Sequence, residues 1–195
     1  WSIWHITPCP APYAPYKFVR TTCVAFGHPV MHKGFWNMDG INAVTTGPEN
    51  YDIITATPFA GAMGAEIGNV DLANLDDATF AEIHAAWLRH HVVVFRDQKI
   101  EPQQQIDFAL RFGEIHHHPY MSGMEDYPDI FEIIKEPGDS YTFGSAWHTD
   151  QMFNPQPAKA TMLYAHEVPS KGGDTLFANM HLAYDTLSDA MKDML

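Results

Sequence analysis

The sequence predicts an α+β, mainly β fold: a β-sandwich or jelly roll (double-stranded β-helix) flanked by helices. Three observations carry that prediction. Short segments rich in β-branched or alternating apolar residues recur, among them HVVVF and KATMLYAHEV. Two stretches place apolar residues at helical spacing behind a capping residue. Strands and helices do not alternate in the regular manner of a parallel α/β sheet.

Residues 1–50 carry Pro8, Pro10, Pro12, Pro15, Pro29 and Pro48, scattered aromatics and no sustained period of 2 or 3.6. They are expected to be an irregular extension, or to lie outside the domain, which takes up residues 51–195. From Tyr51, YDIITATPF reads as a strand and GAMGAEIGNVDL as a glycine-punctuated continuation. Asp76 or Asp77 caps a helix whose Phe80, Ile83, Trp87 and Leu88 share a face. His91–Phe95 reads as a buried strand. Pro102 suits the first turn of a second helix, with Ile106, Ala109 and Leu110 inward and Gly113 as the stop. DIFEIIKE and KATMLYAHEV are strands, PSKGGD a turn and TLFAN a short strand. Ala183, Leu187, Ala190, Met191 and Met194 then fall at the spacing of a final helix.

The formal net charge of −13 would repel a phosphate backbone over most of the surface, which argues against nucleic acid and against an anionic membrane face. A local basic pocket for a small acidic substrate remains compatible with it. The longest β-branched run, Val92–Val94, is far short of a membrane span, and the first residues lack the pattern of a signal peptide. Cys9 and Cys23 make no disulfide framework and read as reduced residues of a cytoplasmic protein.

The stretch SAWHTDQMF holds a histidine and an aspartate two residues apart. In an extended segment, residues i and i+2 point to the same side, so His148 and Asp150 offer an imidazole nitrogen and a carboxylate oxygen to one cation. One neutral nitrogen and one hard anionic oxygen suit Fe(II), Mn(II) or Zn(II). Two ligands do not complete a site. The arrangement of two histidines and one carboxylate, with open positions, needs a third residue from elsewhere. Alone, a His-x-Asp pair is weak evidence for a metal and reads first as a capped turn.

Five stretches in order extend the picture: GAEIGNVDL (Gly64–Leu72), HHVVVFRDQ (His90–Gln98), RFGEIHHHP (Arg111–Pro119), WHTD (Trp147–Asp150) and HEVPSKGGDTLFANM (His166–Met180). Through them the chain, from about Asp52 onward, resembles the taurine dioxygenase family (TauD/TfdA-like) of Fe(II)- and 2-oxoglutarate-dependent oxygenases. The resemblance implies that His148 and Asp150 are the proximal iron ligands. It implies that the Thr175 hydroxyl binds a carboxylate oxygen of 2-oxoglutarate, and that His118 contacts the anionic group of the substrate. Met121 and Gly144 depart from the tyrosine and asparagine of taurine-specific members, so a sulfonate, sulfate ester, aryloxyacid or other small carboxylate all fit. Related halogenating enzymes lack the carboxylate of Asp150, and its presence implies hydroxylation with release of succinate and carbon dioxide. The implied partners are a small-molecule substrate and O2, with a homo-oligomer left open.

Other residues receive plainer expectations. Trp147 is read as core packing, Arg96 as the anchor of a turn, and His84, His90, His91, His166 and His181 as structural or exposed. The family's distal iron-binding histidine and 2-oxoglutarate-binding arginine lie beyond the GGDTLF turn and are not found before Leu195. The chain is therefore expected to be the N-terminal part of a longer oxygenase, inactive alone, with unpaired edges on the strands around Ile133 and Leu163. The competing readings are a non-catalytic jelly-roll binding protein and a Zn-dependent hydrolase using His148, Asp150 and one of His116–His118.

Overall fold

The computed structural model describes residues 2–7, 19–26, 50–117, 120–136, 140, 146–150, 153–169 and 174–195. Strand β1 (Ser2–Thr7) and strand β2 (Val19–Phe26) come first, then β3 (Thr55–Pro58), β4 (Ala65–Gly68) and helix α1 (Asp77–His90). Strand β5 (Val93–Arg96), helix α2 (Pro102–Leu110), β6 (Ile115–His116), β7 (Phe131–Lys135) and β8 (Ala160–Glu167) follow. Two short helices, α3 (Met180–Asp185) and α4 (Asp189–Met194), end the chain. Among the described residues no helix is long and apolar enough to cross a membrane.

The strands join one mixed sheet in the order β3-β4-β5-β1-β8-β2-β6, with β7 also paired to β2. β1 runs parallel to both β5 and β8, while β2 pairs antiparallel with β6, β7 and β8. The architecture is thus a mixed sheet with helices, in keeping with the α+β expectation.

Helix α1 starts where Asp76 accepts a hydrogen bond from the Thr79 N–H at 2.8 Å. It stops at His91, whose positive φ of 64° turns the chain while its N–H still reaches the Trp87 carbonyl. The helix then feeds β5, which lies parallel to β4, so β4–α1–β5 is a crossover unit. Val92, Val93, Val94 and Phe95 are all buried, the mark of a strand covered on both faces. The main core joins Ile83, Ala86 and Trp87 of α1 to Ile106, Phe108 and Ala109 of α2 and to Ile67, Phe95 and Met162 of the sheet. Each large side chain so buried contributes about 1.5–3 kcal/mol. Phe112, just past α2, packs its ring 4.8–5.5 Å from those of Phe80, Phe108 and Trp87.

Several expectations need correction. The described residues before Tyr51 supply two strands of the sheet, and β1 lies in its interior between β5 and β8. The prolines among residues 1–50 obscure the strand pattern in sequence because pairing, rather than local period, holds these segments. The strand around Leu163 keeps no unpaired edge, since β8 lies between β1 and β2, whereas β7 around Ile133 pairs, among the described residues, with β2 alone and keeps one edge open. The crossover β4–α1–β5 supplies a parallel unit that the sequence reading did not foresee.

In the helices, Ala86 rather than Leu88 completes the buried stripe of α1, and Leu110 of α2 is exposed. TLFAN is no strand: the segment is irregular until Asn179 caps α3 by accepting from the Leu182 N–H at 2.9 Å. The final helix is split because Ser188 caps a new one, accepting from Met191 at 3.3 Å. Neither α3 nor α4 buries a residue, and Met180, Leu182, Met191 and Met194 stand exposed on them.

Candidate functional site

The segment Ala146–Asp150 is a loop leading toward β8. Its two polar side chains are tied from behind. His148 places Nδ1 2.7 Å from the Ala146 carbonyl oxygen. A carbonyl only accepts, so Nδ1 carries the hydrogen, and in the neutral ring Nε2 keeps its lone pair. That nitrogen lies 3.1 Å from Asp150 Oδ1. The other carboxylate oxygen, Oδ2, accepts a 2.8 Å hydrogen bond from the Thr161 hydroxyl. Thr161 belongs to β8 and is only 8% exposed, so a loop carboxylate is fastened to the sheet.

This leaves two lone-pair atoms facing each other, an arrangement that repels unless a proton or a metal cation lies between them. Two ligands about 2.1 Å from one ion and at right angles around it sit about 3 Å apart. The observed 3.1 Å fits that geometry, and a histidine whose far N–H is held by a carbonyl is the usual state of a metal ligand. The residues present therefore suit a borderline divalent ion. Among the described residues, no group of three or more His, Cys, Asp or Glu side chains gathers around a common point. The pair by itself offers two donor atoms.

The other expected site residues fall as follows. Thr175 is exposed, in the irregular stretch between β8 and α3. His118, Gly144 and Cys9 lie outside the described residues. His116 Nε2 is 3.3 Å from the side-chain nitrogen of Asn154, and His117 is 3.4 Å from Asp129.

Trp147 is not core packing, since 71% of it is exposed beside the pair. Arg96 reaches Glu66 at 3.2 Å across the β4–β5 pairing. The turn belongs to Gln98, whose amide receives the Leu72 N–H and donates to the carbonyls of Arg96 and Val70. Burial, with Lys159 nearby, pushes the His84 imidazole below its ordinary range. Burial does the same to His91, helped by His181, on which it stacks at 5.5 Å. Both suit the structural role expected of them. Thr161 was missed. Its signal was a hydroxyl within an otherwise apolar run of β8, where a buried polar group calls for a partner.

Residues 55–195 match the family described as Taurine catabolism dioxygenase TauD, TfdA family. The chain is 34% identical over 160 residues to an (S)-phenoxypropionate/alpha-ketoglutarate-dioxygenase of Delftia acidovorans, covering 71% of this chain and 51% of that one. It is 34% identical over 154 residues to an alpha-ketoglutarate-dependent sulfate ester dioxygenase of Pseudomonas putida, covering 78% and 50%. The crystal structure of a taurine dioxygenase from Burkholderia xenovorans superposes with a TM-score of 0.60 at 30% identity, over 73% of this chain and 51% of that one. The chain spans about half the length of the curated relatives it matches.

Proposed function

The chain belongs to the TauD/TfdA dioxygenase family, and from that premise we propose that the whole protein is an Fe(II)- and 2-oxoglutarate-dependent dioxygenase. It hydroxylates a small anionic organic substrate, a sulfonate, sulfate ester or carboxylate, on a completed jelly roll. The observation that carries the reading is the facing pair of His148 Nε2 and Asp150 Oδ1, each held from behind, inside the matched region. When bound, iron with 2-oxoglutarate supplies the oxidising chemistry, consuming O2 and releasing succinate and carbon dioxide.

The protein's own groups prepare that chemistry. The Ala146 carbonyl fixes the His148 tautomer so that Nε2 presents its lone pair. Asp150 adds a negative charge that favours a dication. Thr175 offers a hydroxyl to a carboxylate of 2-oxoglutarate, a hydrogen bond that adds no charge to the metal shell. His118 is assigned to the anionic end of the substrate. The substrate class is supported by relatives named for a phenoxypropionate, a sulfate ester and a sulfonate, which share an oxyanion on a small organic body.

The test is succinate release by the whole protein with (S)-phenoxypropionate, an alkyl sulfate ester or taurine, with and without Fe(II) and oxygen. Turnover with at least one of these, dependent on both iron and oxygen, is expected. Release that persists unchanged in both His148→Ala and Asp150→Ala would sink the assignment, since each removes an inner ligand.

A further inference from the structure

A carboxylate can meet a metal ion through one oxygen or through both, and what binds its second oxygen decides which. At Asp150 that partner is the Thr161 hydroxyl, 2.8 Å from Oδ2. A carboxylate only accepts, so the hydroxyl donates, and the bond is charge-assisted. The donor is rigidly placed. Thr161 is 8% exposed, between Ala160 at 4% and Met162 at 1%, on a strand hydrogen-bonded to neighbours on both sides. Its β-branched side chain has little χ1 freedom. Asp150, by contrast, follows the exposed residues 146–149 outside any helix or strand.

We propose that Thr161 is a positioning residue for the metal: it occupies Oδ2, so that Asp150 offers the single oxygen Oδ1 beside His148 Nε2. The inference rests on the reading of His148 and Asp150 as a metal pair. A carboxylate held to one oxygen takes up one coordination position instead of two and leaves room for a keto acid and oxygen. The hydroxyl also anchors the loop to β8, so the spacing of Nε2 and Oδ1 is set before the ion arrives.

The experiment titrates the whole protein with Co(II), following both affinity and visible absorption, which reports coordination number. Wild type is compared with Thr161→Val, Thr161→Ser and His148→Ala, and unfolding of each metal-free protein is recorded alongside. Thr161→Val should bind Co(II) about 10- to 100-fold more weakly, as loss of an outer partner of a ligand does, with an altered spectrum. Thr161→Ser should return both to near wild type. If Thr161→Val does not fold, Thr161→Ala is read in the same way. Unchanged affinity and spectrum in the variants lacking the hydroxyl, with binding lost in His148→Ala, would overturn the role of Thr161 and leave the metal pair standing. Undiminished Co(II) binding in His148→Ala would overturn the pair itself, and the proposal with it.

Discussion

Replacing Asp150 by asparagine should stabilise the metal-free protein while removing its response to metal. His148 Nε2 faces Oδ1 from 3.1 Å, and whenever no proton lies between them the two are acceptors with nothing to share. An asparagine of the same shape keeps its oxygen on the Thr161 hydroxyl and turns its amide N–H2 to His148 Nε2. The repulsive contact becomes a hydrogen bond. Such a bond nets about 0.5–1.5 kcal/mol. The side chains of His148 and Asp150 are 48% and 30% exposed, so the lower end applies, about 0.5 kcal/mol. For a chain of this length, about 2–4 °C per kcal/mol turns this into a rise of about 1–2 °C in Tm. Wild type should gain about 2.7 kcal/mol, or about 5–11 °C, at a hundredfold excess of metal over Kd. Asp150→Asn should gain only a small part of that, having lost the anionic ligand. The assay is thermal unfolding at pH 8 with and without Mn(II). Two results would refute the reasoning: a metal-free Asp150→Asn that melts several degrees below wild type, or equal shifts with Mn(II) in the two proteins.

Two further outcomes are expected. Thr175→Ala should raise the 2-oxoglutarate requirement about ten- to a hundredfold, from a lost hydrogen bond of about 1.5–3 kcal/mol to a charged group, with a smaller effect on maximal rate. An unchanged requirement, measured by succinate formation against 2-oxoglutarate concentration, returns Thr175 to a surface role. Glu82 accepts from the N–H groups of Asp52, Ile53 and Ile54 at 2.9–3.0 Å. Desolvation works to raise its pKa, but those three donors together outweigh it and hold the carboxyl below its usual 4.5. A lowered folded pKa means stability that is fully present above about 4.5 and lost as pH falls through the folded value. The gap in urea midpoint between wild type and Glu82→Gln should therefore be constant near neutrality and shrink below pH 4.5; a gap that widens on acidification would contradict this.

What the sequence revealed was what short-range chemistry determines. The Asp76 cap and the Pro102 start each act within a turn of their own helix, and both lie where the residues indicated, while α2 ends at Leu110 with Arg111 as its cap, ahead of Gly113. His148 and Asp150 were legible for the same reason, two residues apart and facing one another. What stayed hidden depends on distant partners. β1 and β2 are strands because β5, β7 and β8 pair with them, and no local period announces that. Thr161 gains its meaning only when β8 comes alongside a loop eleven residues earlier. The break between α3 and α4 was written in Ser188, but a helical spacing of apolar residues ran across it and masked the cap.

The crossover β4–α1–β5 also sets an order of events in folding. Its parallel pairing joins Ala65 to Val93 and Ile67 to Phe95 through a single capped helix, so only a short loop must close to form it. β1, by contrast, is bonded to β8 across most of the chain, Ser2 opposite Ala160. Contacts of short sequence separation form fast and distant ones slowly. The crossover should therefore assemble first and present β5 as a bare edge to which β1 is added later. Amides of Val93–Phe95 should then gain protection early in pulsed hydrogen exchange, ahead of those in β8. Until β1 arrives, that unpaired edge of β5 is the part of the nascent sheet most open to pairing with another chain.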